Sequence, residues 1–71
     1  MKVKIMNREY EMPLGKYLAL REEAAKQTPR GIYAVEKSGY VELRNDTGSR
    51  SYIKKLRRAF KSQGYKVHVN G

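Results

Sequence analysis

The sequence predicts a small α+β domain, a two-layer sandwich in which one mostly antiparallel sheet carries two helices on a single face. Three observations predict it. Two segments, Lys16 to Gln27 and Ser51 to Gln63, are rich in helix-forming residues and repeat their apolar residues with helical spacing. Short stretches on either side of them alternate polar and apolar residues, the period of a strand with one covered face. Turn-forming clusters separate the two kinds of segment. The 71 residues read as one domain, residues 1–71, without a linker, a low-complexity run or an internal repeat.

Lys2-Val3-Lys4-Ile5 and Glu9-Tyr10-Glu11-Met12 both alternate, so residues 2–12 read as a hairpin turning at Asn7-Arg8. Pro13-Leu14-Gly15 breaks the chain ahead of the first helix. On that helix Leu14, Tyr17, Leu18, Ala24 and Ala25 share one side, and Glu22 and Lys26 stand at i,i+4 on the outer side. Arg21 falls among the apolar positions. It is expected to run its stem along them and lift its charge into water, in preference to pairing with a carboxylate such as Glu42. Thr28-Pro29-Arg30-Gly31 ends the helix.

Gly31 to Glu36 and Tyr40 to Arg44 read as a second hairpin around Lys37-Ser38-Gly39. Asn45 to Ser49 is a dense turn cluster, and Ser49 or Ser51 can cap the following helix. Gly64 stops that helix, and Tyr65 to Val69 alternates as a last strand. Without the first hairpin the order is βαββαβ, a ferredoxin-like arrangement. With it the order is ββαββαβ, which looks like a β-grasp arrangement, and the opening KVKIMNREYEMPLG is similar in rhythm to β-grasp openings. In both, residues 2–5 are expected beside residues 65–69. Val3, Ile5, Val41, Leu43, Val67 and Val69 form the expected buried set, with Lys2, Lys4, Tyr40, Glu42, Arg44, Lys66 and His68 on the other side. The 31–36 strand is apolar on both sides.

Charge is the strongest global feature. Sixteen Lys and Arg against seven Asp and Glu give a formal net charge of +9. The charge is concentrated: from Arg50 onward there are seven basic residues and no acidic one. Such a balance points to nucleic acid, an anionic membrane surface or an acidic protein as partner, and the membrane ranks last of these because the apolar side of the basic helix is needed for the core. The chain has no cysteine and one histidine, which leaves no disulfide, thiolate or multi-histidine metal site. A domain this small offers little room for a catalytic cleft. No enzymatic activity, cofactor, metal or small-molecule substrate is expected. No apolar run approaches a membrane span and the N-terminus lacks a secretory pattern, so a cytoplasmic location without membrane association is expected.

The stretch SYIKKLRRAFK, residues 51–61, carries five basic side chains and no acidic one. At about 100° per residue, Ile53, Leu56 and Phe60 fall on one side with Tyr52 and Ala59 beside them. Lys54, Arg58 and Lys61 fall opposite, flanked by Lys55 and Arg57. Solvated helix faces usually mix signs, because opposite charges at i,i+4 support the helix. A face of like charges costs stability and suits an anion. The expected interface therefore comprises Arg50, Lys54, Lys55, Arg57, Arg58 and Lys61, together with Lys4, Arg44, Lys66 and Tyr40 on an open sheet face. A sheet that offers an aromatic ring among basic groups suits stacked bases and phosphates. The segment Lys37 to Leu43 resembles the third-strand signature of RNA-recognition motifs, with the first aromatic missing and Leu43 where the second stands.

Asp46-Thr47-Gly48-Ser49 spells the signature of aspartic proteases, but those enzymes need two carboxylates sharing a proton. Turn and helix cap is the preferred reading. His68 has no nucleophile or carboxylate placed beside it by the sequence and is expected at the surface. The sequence thus points to a small non-enzymatic nucleic-acid-binding protein, acting on DNA or RNA. The alternative is an inhibitor or adaptor of the phage or mobile-element type that binds an acidic protein surface or a nucleic-acid-processing complex.

Overall fold

The computed structural model describes residues 1–70. Its elements run β1 (Lys2–Ile5), β2 (Arg8–Glu11), α1 (Leu14–Gln27), β3 (Ile32–Lys37), β4 (Tyr40–Asp46), α2 (Arg50–Ser62) and β5 (Lys66–Val69). The five strands form one mixed sheet in the order β2-β1-β4-β3-β5. β1 pairs antiparallel with β2 and parallel with β4, and β3 pairs antiparallel with β4 and β5.

Both hairpins use two-residue turns. In the second, Ser38 (φ 36°) and Gly39 (φ 83°) both take positive φ, the geometry that matches the twist of the flanking strands. In the first, Ile5 faces Arg8, so the turn is Met6-Asn7, one residue earlier than the sequence suggested. Met6 holds the positive φ (59°) with its side chain in water.

The ferredoxin-like order is not formed. In that order the last strand lies against the first, whereas here β5 pairs with β3, with Val67 opposite Val35 and His68 opposite Ala34. The expected neighbourhood of residues 2–5 and 65–69 fails for the ββαββαβ alternative as well, although its element sequence is the observed one. β1 is already paired on both sides, by β2 and by β4, so it offers β5 no edge, and β5 joins the outer edge of β3 instead.

The handedness of the two helical connections fixes the faces on which α1 and α2 lie. Take β1 as pointing up: β4 and β5 then point up, and β2 and β3 point down. The β2–α1–β3 and β4–α2–β5 connections both join parallel strands, and both travel across the sheet in the same direction. They start from strands of opposite direction. Because such crossovers are right-handed, the two helices lie on opposite faces of the sheet, not on one face as expected.

Side-chain packing shows the same division. On the α1 side, Val3, Val41, Leu43 and Ala34 pack with Tyr17 and Met12. On the α2 side, Ile32 and Val35 pack with Ile53, and Leu56, Phe60, Tyr65, Val67 and Val69 close around them. The expected buried set is therefore split, with Val67 and Val69 belonging to the second core. Ile32 and Val35 are three residues apart, a spacing that strict alternation would send to opposite faces. A register shift between Ile32 and Ala34 brings both to the α2 side.

Ile53 is the one residue of α2 that is buried, whereas Phe60 is half-buried. Ile53→Ala should therefore cost about 2–4 kcal/mol in urea melts, through the lost side chain and the cavity it leaves. Met6→Gly should raise stability by about 0.5–1 kcal/mol in the same measurement, because glycine adopts the turn geometry without steric cost.

Candidate nucleic-acid interface

α2 is bounded by local chemistry at both ends. The Ser49 hydroxyl accepts a hydrogen bond from the Tyr52 backbone N–H at 3.2 Å and caps the helix start. At the other end Gly64 takes φ 89° and donates its N–H to the Lys61 carbonyl at 3.0 Å. Tyr65 donates to the Phe60 carbonyl at 3.0 Å, and the Phe60 and Tyr65 rings meet edge-on with centroids 5.4 Å apart. This pair of bonds with its accompanying apolar contact fixes the helix end and aims β5 back along the sheet. Asp46-Thr47-Gly48-Ser49 thus supplies a strand end and a helix cap. Asp46 is paired with Arg44.

The outer face of α2 is where the sequence placed it. Arg50, Lys54, Lys55, Arg57, Arg58 and Lys61 are all exposed, and none forms an ion pair among the described residues. The first turn of the helix has no acidic residue. Positive side chains there oppose the helix dipole, which favours acids at that end. The helix forms despite this because its other face is anchored by Ile53, Leu56 and Phe60.

The other expected site residues are distributed differently. Arg44 lies beneath α2, with its guanidinium carbon 4.8 Å from the centre of the Phe60 ring. It pairs with Glu42 and Asp46, and the Asp46 carboxylate raises its pKa further. Tyr40 is half-buried and donates its hydroxyl to Glu42, while its ring meets Tyr65 edge-on at 6.0 Å. Burial and then the Glu42 carboxylate push its pKa up to about 12. Lys4 borders a shallow depression of about 270 Å³ with Tyr40 and Glu9, its cross-strand partner. The open part of this sheet face therefore mixes signs. Lys66 sits opposite Glu36 and points to the α1 side, away from the basic helix. The structure gathers the six α2 cations into one surface and does not bring Lys66 to it.

Arg30 was missed. It lies in the loop between α1 and β3, where the sequence marks only a turn. In the structure it lines a groove of about 610 Å³ with Arg50, Lys54 and Arg57. No local periodicity connects residue 30 with residues 50–57, so only the packing of β3 under α2 could reveal it.

On the α1 face a second cluster surrounds Glu36. Tyr17 donates its hydroxyl to Glu36 Oε1 at 2.6 Å, and Arg21 donates Nη1 to the same oxygen at 3.0 Å. Arg21 is thus an ion-pair partner of Glu36 and partly exposed, where the sequence favoured a charge lifted into water. His68 Nε2 lies 3.3 Å from that oxygen without an aligned hydrogen bond, and His68 is partly covered, not surface-facing. Burial raises the Glu36 pKa, but Tyr17, charge on His68 and Arg21 together outweigh it and hold the carboxyl below its ordinary value. Burial, followed by the Glu36 carboxylate, pushes the Tyr17 hydroxyl up to about 12.

No cluster of His, Cys, Asp or Glu able to hold a metal occurs among the described residues. No helix is long and apolar enough to cross a membrane. Comparison with protein-family models, with curated proteins and with solved structures found no match.

A carboxyl with a lowered folded-state pKa contributes stability above its unfolded value, about 4.3 for Glu, and loses it as pH falls through the folded value. Wild-type protein should therefore lose stability between about pH 4.3 and more acid conditions. Glu36→Gln should be less stable than wild type at pH 7, and its urea midpoint should vary less over the acid range.

Proposed function

We propose that this protein binds nucleic acid without catalysing a reaction, using the outer face of α2 as a phosphate-binding surface. The observation that carries the reading is the contrast between inner and outer cations. Arg21 and Arg44 are matched with Glu36, Glu42 and Asp46 inside the fold. The six cations of α2 have no ion pair among the described residues. Three of the seven acidic residues are thus held in internal pairs, leaving the helix charge uncompensated. α2 also has its face of the sheet to itself, since α1 packs on the other side, and a rod-like partner could approach it without meeting a second helix. Phosphate contacts of this kind supply affinity and orientation and carry little sequence information.

The mixed-sign sheet face favours the helix over the sheet as the main contact. Tyr40 is engaged with Glu42 and Tyr65, which leaves less of its ring for stacking on a base.

Replacing Lys54, Arg58 and Lys61 together by Gln should leave the fold intact, because all three are exposed. On duplex DNA each lost phosphate contact removes about 0.9 from the slope of log K against log salt, so the triple variant should flatten it by roughly 2.7. Tyr40→Ala should change affinity less than the triple variant does. Absence of any salt-dependent binding by the wild type to DNA or RNA would reject the reading. A protein retained in a pull-down after nuclease treatment would then favour an acidic protein surface as the partner.

A further inference from the structure

The groove beside α2 carries an inference of its own. Arg50, Lys54 and Arg57 recur at i, i+4 and i+7 and share one flank of the helix. Arg30 reaches the same concavity from the α1–β3 loop, a separate part of the chain. Among the described residues no carboxylate lines it, and Ile53 and Val69 give it an apolar wall. Four cations around one concavity repel one another, and a concave low-dielectric wall focuses their field outward. The volume of about 610 Å³ falls within the range of small-ligand sites, roughly 300–1,000 Å³.

Arg30 adds a second observation. Its φ is +56°, a left-handed conformation that side chains other than Gly, Asn and Asp rarely adopt. The chain thus holds a guanidinium at a strained backbone position, and strain of this kind accumulates at ligand sites.

We propose that this groove seats one phosphate ester, with Arg30, Arg50, Lys54 and Arg57 around the phosphate and Ile53 and Val69 beside the less polar part of the nucleotide. The choice of a nucleotide within a strand as the occupant rests on the proposed function. A free phosphorylated molecule shares the same chemistry. On this assignment the groove anchors a nucleic acid, and the remaining cations of α2 steer it.

The test compares two charge-matched variants, Arg30→Gln/Arg50→Gln and Lys55→Gln/Arg58→Gln, by fluorescence anisotropy with one labelled oligonucleotide at fixed ionic strength. Each removes two exposed cations, and Lys55 and Arg58 do not line the groove. The groove pair should weaken binding about tenfold more than the control pair, since guanidinium–phosphate contacts in a concave site are stronger than steering charges. Equal losses would overturn the groove and leave α2 as the binding face. In a second arm, the wild type is titrated with a nucleoside monophosphate and followed by amide chemical shifts, with sodium chloride of matched ionic strength as control. Saturable shifts confined to Arg30, Arg50, Lys54, Arg57 and Val69 support the site. Shifts that are absent, or spread over all basic segments, overturn it. If the oligonucleotide does not bind but the monophosphate gives confined shifts, the nucleic-acid reading fails and the groove stands as a site for a free phosphorylated molecule.

Discussion

The fold depends on one strand that must be covered on both sides. β3 carries Ala34 against the α1 core and Ile32 and Val35 against the α2 core. A strand apolar on both faces cannot lie at an edge or under a single layer of helices without exposing one of its rows. Burying each such side chain is worth roughly 1.5–3 kcal/mol, so leaving one row in water would remove much of the stability available to a domain of this size. The arrangement found gives β3 a strand on each flank and a helix on each face. The register shift between Ile32 and Ala34 lets Tyr33 and Ala34 serve the α1 core and Ile32 and Val35 the α2 core.

From that requirement the surface charge acquires its form. With β2 and β4 on the two edges of β1, β5 takes the edge beside β3, and right-handed connection places α2 alone on its face. Its basic side chains then border open solvent on one flank and the Arg30 groove on the other. The internal acids are used elsewhere. Glu36 accepts from Tyr17 and Arg21 on the α1 face, and Glu42 and Asp46 hold Arg44 under Phe60 on the α2 face. Each partly covered carboxylate has a cation or hydroxyl nearby, as burial of charge demands. The same pairings withdraw negative charge from the surface and leave the helix cations without an ion pair among the described residues.

Much of the secondary structure was legible because its causes are local. The Ser49 cap, the Gly64 stop and the side shared by Ile53, Leu56 and Phe60 need only neighbouring residues. The outer cations of α2 were legible for the same reason. Arg21 was misread because its partner, Glu36, lies fifteen residues away on another element. Tyr40 and Arg44 lie on one side of β4 as the alternation implies, and the same i+2 spacing places their partners Glu42 and Asp46 on that side.

The sequence by itself determined the elements, their order, the apolar side of α2 and the concentration of positive charge after Arg50. These follow from periodicity, capping and composition, which act within a few residues. The apolar side of α1 turned out to be Tyr17, Leu20 and Ala24, with Leu14 and Leu18 exposed. Only the tertiary structure decided which edge β5 joins, which face α2 covers and that Arg30 meets Arg50. Those outcomes depend on strand direction, on which edges are already occupied and on the handedness of the crossovers. The two-sided apolar pattern of residues 31–36 was the one local sign of them. It is compatible with cover on both faces but does not say where the last strand pairs, which depends on β2 and β4 occupying both edges of β1.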